Sequence, residues 1–350
     1  MAPDIRDIEV IAPNLKRRLS GVTATIVRLV PLQARMIGIA ATGPGLPPHV
    51  PHVALSRLFL MPRDRVRVWH ARRNTEMLLG LMLKHVLRRR LRLLFTSASQ
   101  RKHTGYTRWL IGRMDGVIAT SRKTAAYLER GAEVILHGID TEAFSRPEDR
   151  AALRRKLGLP KDQVILGCYG RIRAQKGTDA FVEAALALLP GRPGVTALVM
   201  GRATEGHDGF LTGLKENVAT AGLADRIRFL PEVPVHEIAD WYRVLDLYVA
   251  PQRWEGFGLT PIEAMACAVP VVATRVGAFE EIVTEETGAL VAPGDIPALA
   301  AAVAPFLDDA EMRARAGAAS LKRVRQAFRI EDEAAAIVAL YRRLLAGESW

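Results

Sequence analysis

The sequence predicts an α/β protein made of two doubly wound, Rossmann-like domains. Three observations predict it. Short apolar runs alternate with helical stretches along most of the chain, the pattern of parallel strands joined by crossover helices. The 350 residues suffice for two domains, each with its own core. Near the middle, a charged stretch carrying Pro147 and Pro160 interrupts the alternation and reads as the boundary.

Taken in order, the apolar runs at 8–12, 36–41, 52–59, 66–70, 91–96, 116–120 and 133–136 are the strands expected in the first half. Between them, residues 77–90 form an apolar helical stretch that ends in Arg88, Arg89 and Arg90. Such a helix is either a buried core element or a monotopic anchor, with its arginines, and Arg92 beyond them, on lipid phosphates. In the second half the expected strands are Val164–Tyr169, 196–200, 226–230, 245–249, 269–274 and 289–291. The domains are accordingly 1–145 and 163–329, with a linker at 146–162 that holds a helical segment at 150–157. Residues 298–345 are Ala-rich and helical.

The net charge of +12 is uneven. Residues 1–150 hold 26 Lys and Arg against 12 Asp and Glu, whereas the remaining 200 hold 23 against 25. The first half therefore suits a polyanionic partner: nucleic acid, an anionic membrane surface or a phosphorylated lipid. Aromatic residues make up only 6% and do not interleave with the arginines, which argues against base stacking and hence against nucleic acid. No apolar run approaches the roughly 18 residues of a spanning helix, and the start lacks the pattern of a signal peptide, so the cytoplasm is expected. Cys168, in an apolar strand, and Cys267, on a helix, read as packed thiols, and no residue cluster suggests a metal.

Two motifs carry chemistry. The strand Val164–Tyr169 leads into Gly170-Arg171-Ile172-Arg173-Ala174-Gln175-Lys176-Gly177, with a helix expected from Thr178. This puts Arg171 and Lys176 at the carboxyl end of a strand, where open α/β sheets bind ligands, and two cations there suit a diphosphate. The second motif is Glu255-Gly256-Phe257-Gly258-Leu259-Thr260-Pro261-Ile262-Glu263. Its glycines allow close backbone approach, and Thr260, Pro261 and Glu263 have the spacing of an N-cap, first helical residue and capping-box acid. Free N–H groups at that helix start attract phosphate. Glu263 is then either a cap or, with Glu255, one of two carboxylates flanking a phosphorylated sugar.

In this order and spacing, G-R-x4-K-G followed by E-G-F-G-x4-E resembles the retaining glycosyltransferases of family four. The likeness covers the second half and thins in the first to Ser20-Gly21-Val22 and His137-Gly138-Ile139-Asp140. The opening Ile8-Glu9-Val10-Ile11-Ala12-Pro13-Asn14 and the run Val68-Trp69-His70-Ala71-Arg72-Arg73-Asn74 resemble bacterial lipopolysaccharide core mannosyltransferases within that family. The resemblance implies the GT-B fold, two Rossmann-like domains facing across a cleft, with residues 330–350 crossing back to the first domain. It implies that Arg171, Lys176 and Glu255 are catalytic, with Glu255 on a hydroxyl of the transferred sugar. Glu263 would hold the ribose, and the backbone of Gly256, Phe257 and Gly258 the sugar. Leu259 and Thr260 N–H groups, with Gly170 and Gly21, would complete the donor site; only Gly21 remains of the family's usual glycine pair.

The implied donor is a sugar nucleotide, GDP-mannose, used without a cofactor or metal. The implied acceptor is an anionic, lipid-linked Kdo at the cytoplasmic face of the inner membrane. On the acceptor side the candidates are His70, Arg72, Arg101 and His103. His70 either lines the cleft or is a half-buried structural residue. The family's histidine after the strand at 91–96 is replaced by Ser97. A basic patch at Lys16, Arg17 and Arg18 lies near the first strand–helix loop. A UDP- or ADP-sugar donor and sugar-nucleotide epimerisation remain open alternatives.

Overall fold

The computed structural model describes residues 4–16 and 21–348, so Arg17, Arg18 and Ser20 lie outside the described residues. Along the chain run β1 (Val10–Pro13), α1 (Gly21–Gln33), β2 (Ile39–Thr42), α2 (Leu55–Phe59), β3 (Arg67–Ala71), α3 (Asn74–His85), β4 (Leu91–Ser97), α4 (Gly105–Ile111), β5 (Gly116–Ala119), α5 (Arg122–Ala125) and β6 (Glu133–Val134). There follow α6 (Arg150–Lys156), β7 (Val164–Tyr169), α7 (Thr178–Leu188), β8 (Val195–Met200), α8 (Asp208–Thr220), β9 (Ile227–Leu230), α9 (Ile238–Arg243), β10 (Leu247–Ala250), α10 (Thr260–Ala266), β11 (Val271–Thr274), α11 (Phe279–Ile282), β12 (Gly288–Val291), α12 (Ile296–Asp308), α13 (Ala310–Ala327) and α14 (Ile330–Leu345).

Contacts divide these elements into two compact units, residues 1–137 with 330–350, and residues 138–329. Among the described residues each unit holds one six-stranded parallel sheet. In the first the order is β2-β1-β3-β4-β5-β6, and in the second β12-β11-β10-β7-β8-β9. Helices cover both faces, so a central strand is buried on both sides: all six residues of β8 are buried. In the first unit one face packs under α2, α3 and α4. On the other, Ile26, Leu29 and Val30 of α1 meet Ile337, Val338 and Tyr341 of α14.

Three expectations are corrected. Residues 52–59 are no strand: only His52 bridges Ala41, and Leu55–Phe59 is helical. Burial explains it, since Leu58 and Met61 are buried while Phe59 and Leu60 point outward, a helical spacing in place of alternation. The helix expected over 77–90 stops at His85. Arg88 turns left-handed at φ 50°, and the arginines lie in the turn before β4. Finally, residues 146–162 are packed into the second unit: Arg154 donates to Val244 O at 2.7 Å and Asp246 Oδ2 at 2.6 Å.

Candidate active site

In the second sheet the chain reverses its winding at β7 and β10, neighbours in the sheet although far apart in sequence. Ligands of such sheets bind outside the carboxyl ends at this switch point. Both motifs emerge there. After β7, Gly170 (φ 136°) begins the loop and Gly177 (φ 70°) ends it before α7. A Cβ on Gly177 would stand 1.9 Å from Pro251 O, so the two loops touch backbone to backbone. Gly258 (φ 89°) is as constrained, because a Cβ there would meet the Phe279 ring at 2.2 Å.

Packing of the loops brings Lys176 and Glu255 into an ion pair, both side chains largely shielded. Arg253 locks the arrangement. Its guanidinium grips Asp179 of α7 with bonds of 2.7 and 2.8 Å and reaches Ala174 O at 2.6 Å, while its N–H donates to Gln175 O at 3.0 Å. The sequence signal for this clamp, a cation two residues before Glu255 and an acid two after Gly177, becomes readable only once the loops are known to touch.

Beside the pair opens a cavity of about 370 Å³ lined by Gly170, Arg171, Lys176, Gln252, Thr260 and Glu263, among others. Arg171 is exposed at its edge. α10 starts one residue earlier than the motif suggests, with Leu259 at its N-cap, so Glu263 is not at the capping-box position. Instead Glu263 Oε2 accepts from the Tyr242 hydroxyl at 2.7 Å. Burial, reinforced by the Glu263 charge, pushes the Tyr242 phenol well above its ordinary range and keeps it a donor. Tyr242 packs against Tyr169 and Tyr248 with centroids 5.1 and 5.5 Å away, forming a rigid aromatic wall. No local pattern marked Tyr242, whose partner lies in another element. Gln252 was likewise unmarked: it is only 4% exposed, and its Oε1 has no hydrogen-bond partner among the described residues. Gly256, Phe257, Gly258 and Leu259 connect Glu255 to α10, with Phe257 buried.

Cys168 and Cys267 are buried and free, and burial pushes both thiols up to about 12, which leaves them inert packing groups. Among the described residues no group of three potential ligands is placed to hold a metal ion.

The acceptor-side candidates, all in the first unit, fare differently. His70 is fully buried, a correction to the cleft position: Nδ1 meets the Tyr341 hydroxyl and Nε2 the Thr96 hydroxyl, both at 2.6 Å. Return of α14 over the sheet encloses it, and burial with the nearby Arg72 charge depresses its pKa well below 6.5. Arg72 is itself buried and donates to His70 O at 3.2 Å. Arg101 stays exposed, whereas His103 is half-buried with its pKa lowered by desolvation. A network not anticipated from sequence lies nearby: buried Glu76 takes Arg73 Nη1 at 2.6 Å and Arg72 N at 2.8 Å, and Arg73 also donates to Asn14 at 3.1 Å. Gly21 begins α1 in this unit, with nothing within 4 Å of a Cβ placed on it.

The arginines expected on a membrane are partly engaged within the fold. Arg89 donates to Phe59 O and, at 2.5 Å, to Met61 O. Arg90 reaches Asp64 O at 3.0 Å, and Arg92 reaches Gly347 O at 3.3 Å. Arg88 remains exposed. Among the described residues no helix is long and apolar enough to cross a membrane.

With this geometry in place, the chain can be set against known proteins. Residues 149–323 match the family model of glycosyl transferases group 1. The lipopolysaccharide core biosynthesis mannosyltransferase LpsB of Rhizobium meliloti (strain 1021) is 56% identical, over 98% of this chain and 99% of its own. The lipopolysaccharide core biosynthesis mannosyltransferase LpcC of Rhizobium leguminosarum bv. viciae is 52% identical over 98% of each chain. Among solved structures, Anabaena HepE in complex with UDP matches with a TM-score of 0.83, at 18% identity, over 95% of this chain and 99% of that one. That likeness bears out the GT-B fold.

Proposed function

Since this chain belongs to the group 1 glycosyltransferases, we propose that it moves mannose from GDP-mannose onto the inner Kdo of a lipopolysaccharide core or lipid A precursor. That it is a glycosyltransferase follows from the family. The sugar and the core acceptor are drawn from the names of LpsB and LpcC, each similar over nearly its whole length. The geometric observation that carries the reading is the Lys176–Glu255 pair at the edge of a cavity that also holds Arg171 and Glu263.

The chemistry follows from those groups. Loss of a nucleoside diphosphate leaves negative charge on the departing oxygens and positive charge on the anomeric carbon. Arg171 and Lys176 stabilise the diphosphate, aided by N–H groups at the start of α10. In the free enzyme Lys176 is neutralised by Glu255; an arriving diphosphate competes for the ammonium and releases Glu255 to a sugar hydroxyl. Glu263, oriented by Tyr242, accepts from the ribose hydroxyls. The anomeric carbon–phosphate oxygen bond breaks as the acceptor oxygen bonds on the same face. The acceptor proton passes to the departing phosphate, so no protein nucleophile is required and configuration is retained. The positive excess of the first unit suits an anionic lipid-linked acceptor met at the cytoplasmic face of the inner membrane.

The test is incubation of purified protein with labelled GDP-mannose and a Kdo-bearing lipid A precursor. Transfer of label to lipid is expected. Donor hydrolysis without transfer would discard the acceptor, activity only with UDP- or ADP-sugars would discard the donor, and sugar interconversion without any acceptor would mark an epimerase.

A further inference from the structure

The first unit has one face whose surface is not that of an ordinary soluble domain. In α3, Met77, Gly80 and Leu81 turn inward to the sheet, but Leu78, Met82 and Val86 are exposed by 39, 50 and 71%. Their spacing of four residues aligns them as one outward stripe. Beside the end of this stripe, Phe59 and Leu60 leave α2 exposed by 44 and 83%. The two segments are tied together by Arg89, whose guanidinium holds the carbonyls of Phe59 and Met61. On the other flank α4 packs against α3, joined by Asn74 Nδ2 to Thr107 Oγ1 at 2.8 Å, while Lys84 of α3 pairs with Asp115 in the turn after α4 at 2.8 Å. This helix exposes Tyr106 and Trp109, stacked with centroids 6.3 Å apart, and Arg113 covers the indole at 4.0 Å. Single exposed apolar residues mean little, but contiguous ones mark an interaction surface.

Charge identifies the occupant. Residues 55–113, which build this face, hold 15 Lys and Arg against Asp64 and Glu76 alone. Glu76 is buried and paired with Arg73, so it offers nothing to the surface. Arg57, Arg63, Arg88 and Arg113 are exposed around the apolar residues, while Arg108 is paired with Glu129 at 3.0 Å. Apolar side chains on helices, an exposed and stacked Trp and Tyr, and a cationic surround are the features of a surface that sits in a lipid headgroup layer. An acidic protein partner would account for the arginines but not for aliphatic tips as exposed as Leu60 and Val86.

We infer that the face formed by α2, α3 and α4 is a docking surface for an anionic lipid bilayer, entering only to the headgroup–acyl boundary. It deepens the reading above, on which it rests for a lipid-linked acceptor, and it differs from the sequence expectation in its residues. The triple arginine is partly bound within the fold; Leu60, Met82, Val86 and Trp109 enter the lipid, while Arg57, Arg63 and Arg113 meet phosphates.

Vesicle flotation of the full chain without donor or acceptor tests it. Binding is expected to vesicles of phosphatidylglycerol mixed with phosphatidylethanolamine, to weaken with added salt, and to be slight on phosphatidylcholine alone. The double variant Leu60→Glu, Val86→Glu should lose at least about tenfold in binding. Both positions are exposed, so circular dichroism should not change, and transfer to a deacylated, water-soluble Kdo acceptor should keep its rate. Arg57→Ser with Arg63→Ser should lessen binding and flatten its salt dependence. Absent wild-type binding, or full binding by the folded Leu60/Val86 variant, would overturn the inference. So would a variant that dissociates an oligomer in sedimentation yet binds vesicles normally, which would make the face a contact between copies. Vesicle binding by a protein with no transferase activity would discard the proposed reaction and leave the docking surface standing.

Discussion

The two units share a doubly wound plan yet treat the polar groups at their strand ends in opposite ways. In the second unit the loops after β7 and β10 and the start of α10 hold Arg171, Lys176, Glu255 and Glu263 in or beside a cavity, supported by Arg253 and the tyrosine wall. In the first, His70, Arg72, Arg73 and Glu76 are engaged with one another and with α14 or the loop after β1, and its unpaired character lies on a helical face instead. One sheet therefore presents chemistry at its edge, and the other presents a surface. A polar residue at a strand end is thus not a site residue until its partners are known.

The largest expected effect belongs to Lys176→Ala. Losing a cation that meets departing phosphate should lower kcat about a hundredfold to a thousandfold with the melting temperature nearly unchanged; full turnover would remove the contrast between the units. Gly177→Ala comes next, since the added Cβ collides with Pro251 O at 1.9 Å in a left-handed backbone. It should cost about 1–3 kcal/mol in urea unfolding and impair turnover as well. Gly21→Ala, with open space around it, should leave urea unfolding unchanged, so any loss of turnover it shows reports on the donor site.

For the first unit, His70→Gln should lower stability at pH 8 by about 1–3 kcal/mol through buried groups left unpaired, while kcat of the folded protein is retained. The same histidine makes stability pH-dependent. Its folded pKa lies well below 6.5, so the unfolded chain takes up the proton first, and wild-type stability should fall as pH drops below 6.5. The variant should lack that part of the slope, and an equal slope in both proteins would refute the assignment. The smallest effect is expected from Tyr242→Phe, which removes the hydroxyl that donates to Glu263 Oε2. KM for the donor should rise about fivefold to tenfold, the worth of about 1 kcal/mol, with little change in kcat.

Legibility followed the range of the interactions. The strand Val164–Tyr169 and the loop to Gly177 were readable because a short apolar run and a left-handed glycine are local demands on the backbone. The helix at Leu55–Phe59 was misread because apolar residues at both spacings suit either element, and burial of Leu58 and Met61 under the sheet decided between them. Glu263 shows the same limit inside the site. Its spacing suited a cap, and a tyrosine 21 residues away took its carboxylate.

The sequence by itself determined the alternation of elements, the two motifs and the one-sided charge, since each is written in neighbouring residues. Tertiary structure alone decided that Lys176 meets Glu255, that Arg253 clamps their loops, that His70 is sealed by α14, and that α2, α3 and α4, packed on one core, leave apolar tips exposed. The physical reason is that a hydrogen bond, an ion pair or a buried contact acts over a few ångströms in space, whatever number of residues separates its partners along the chain.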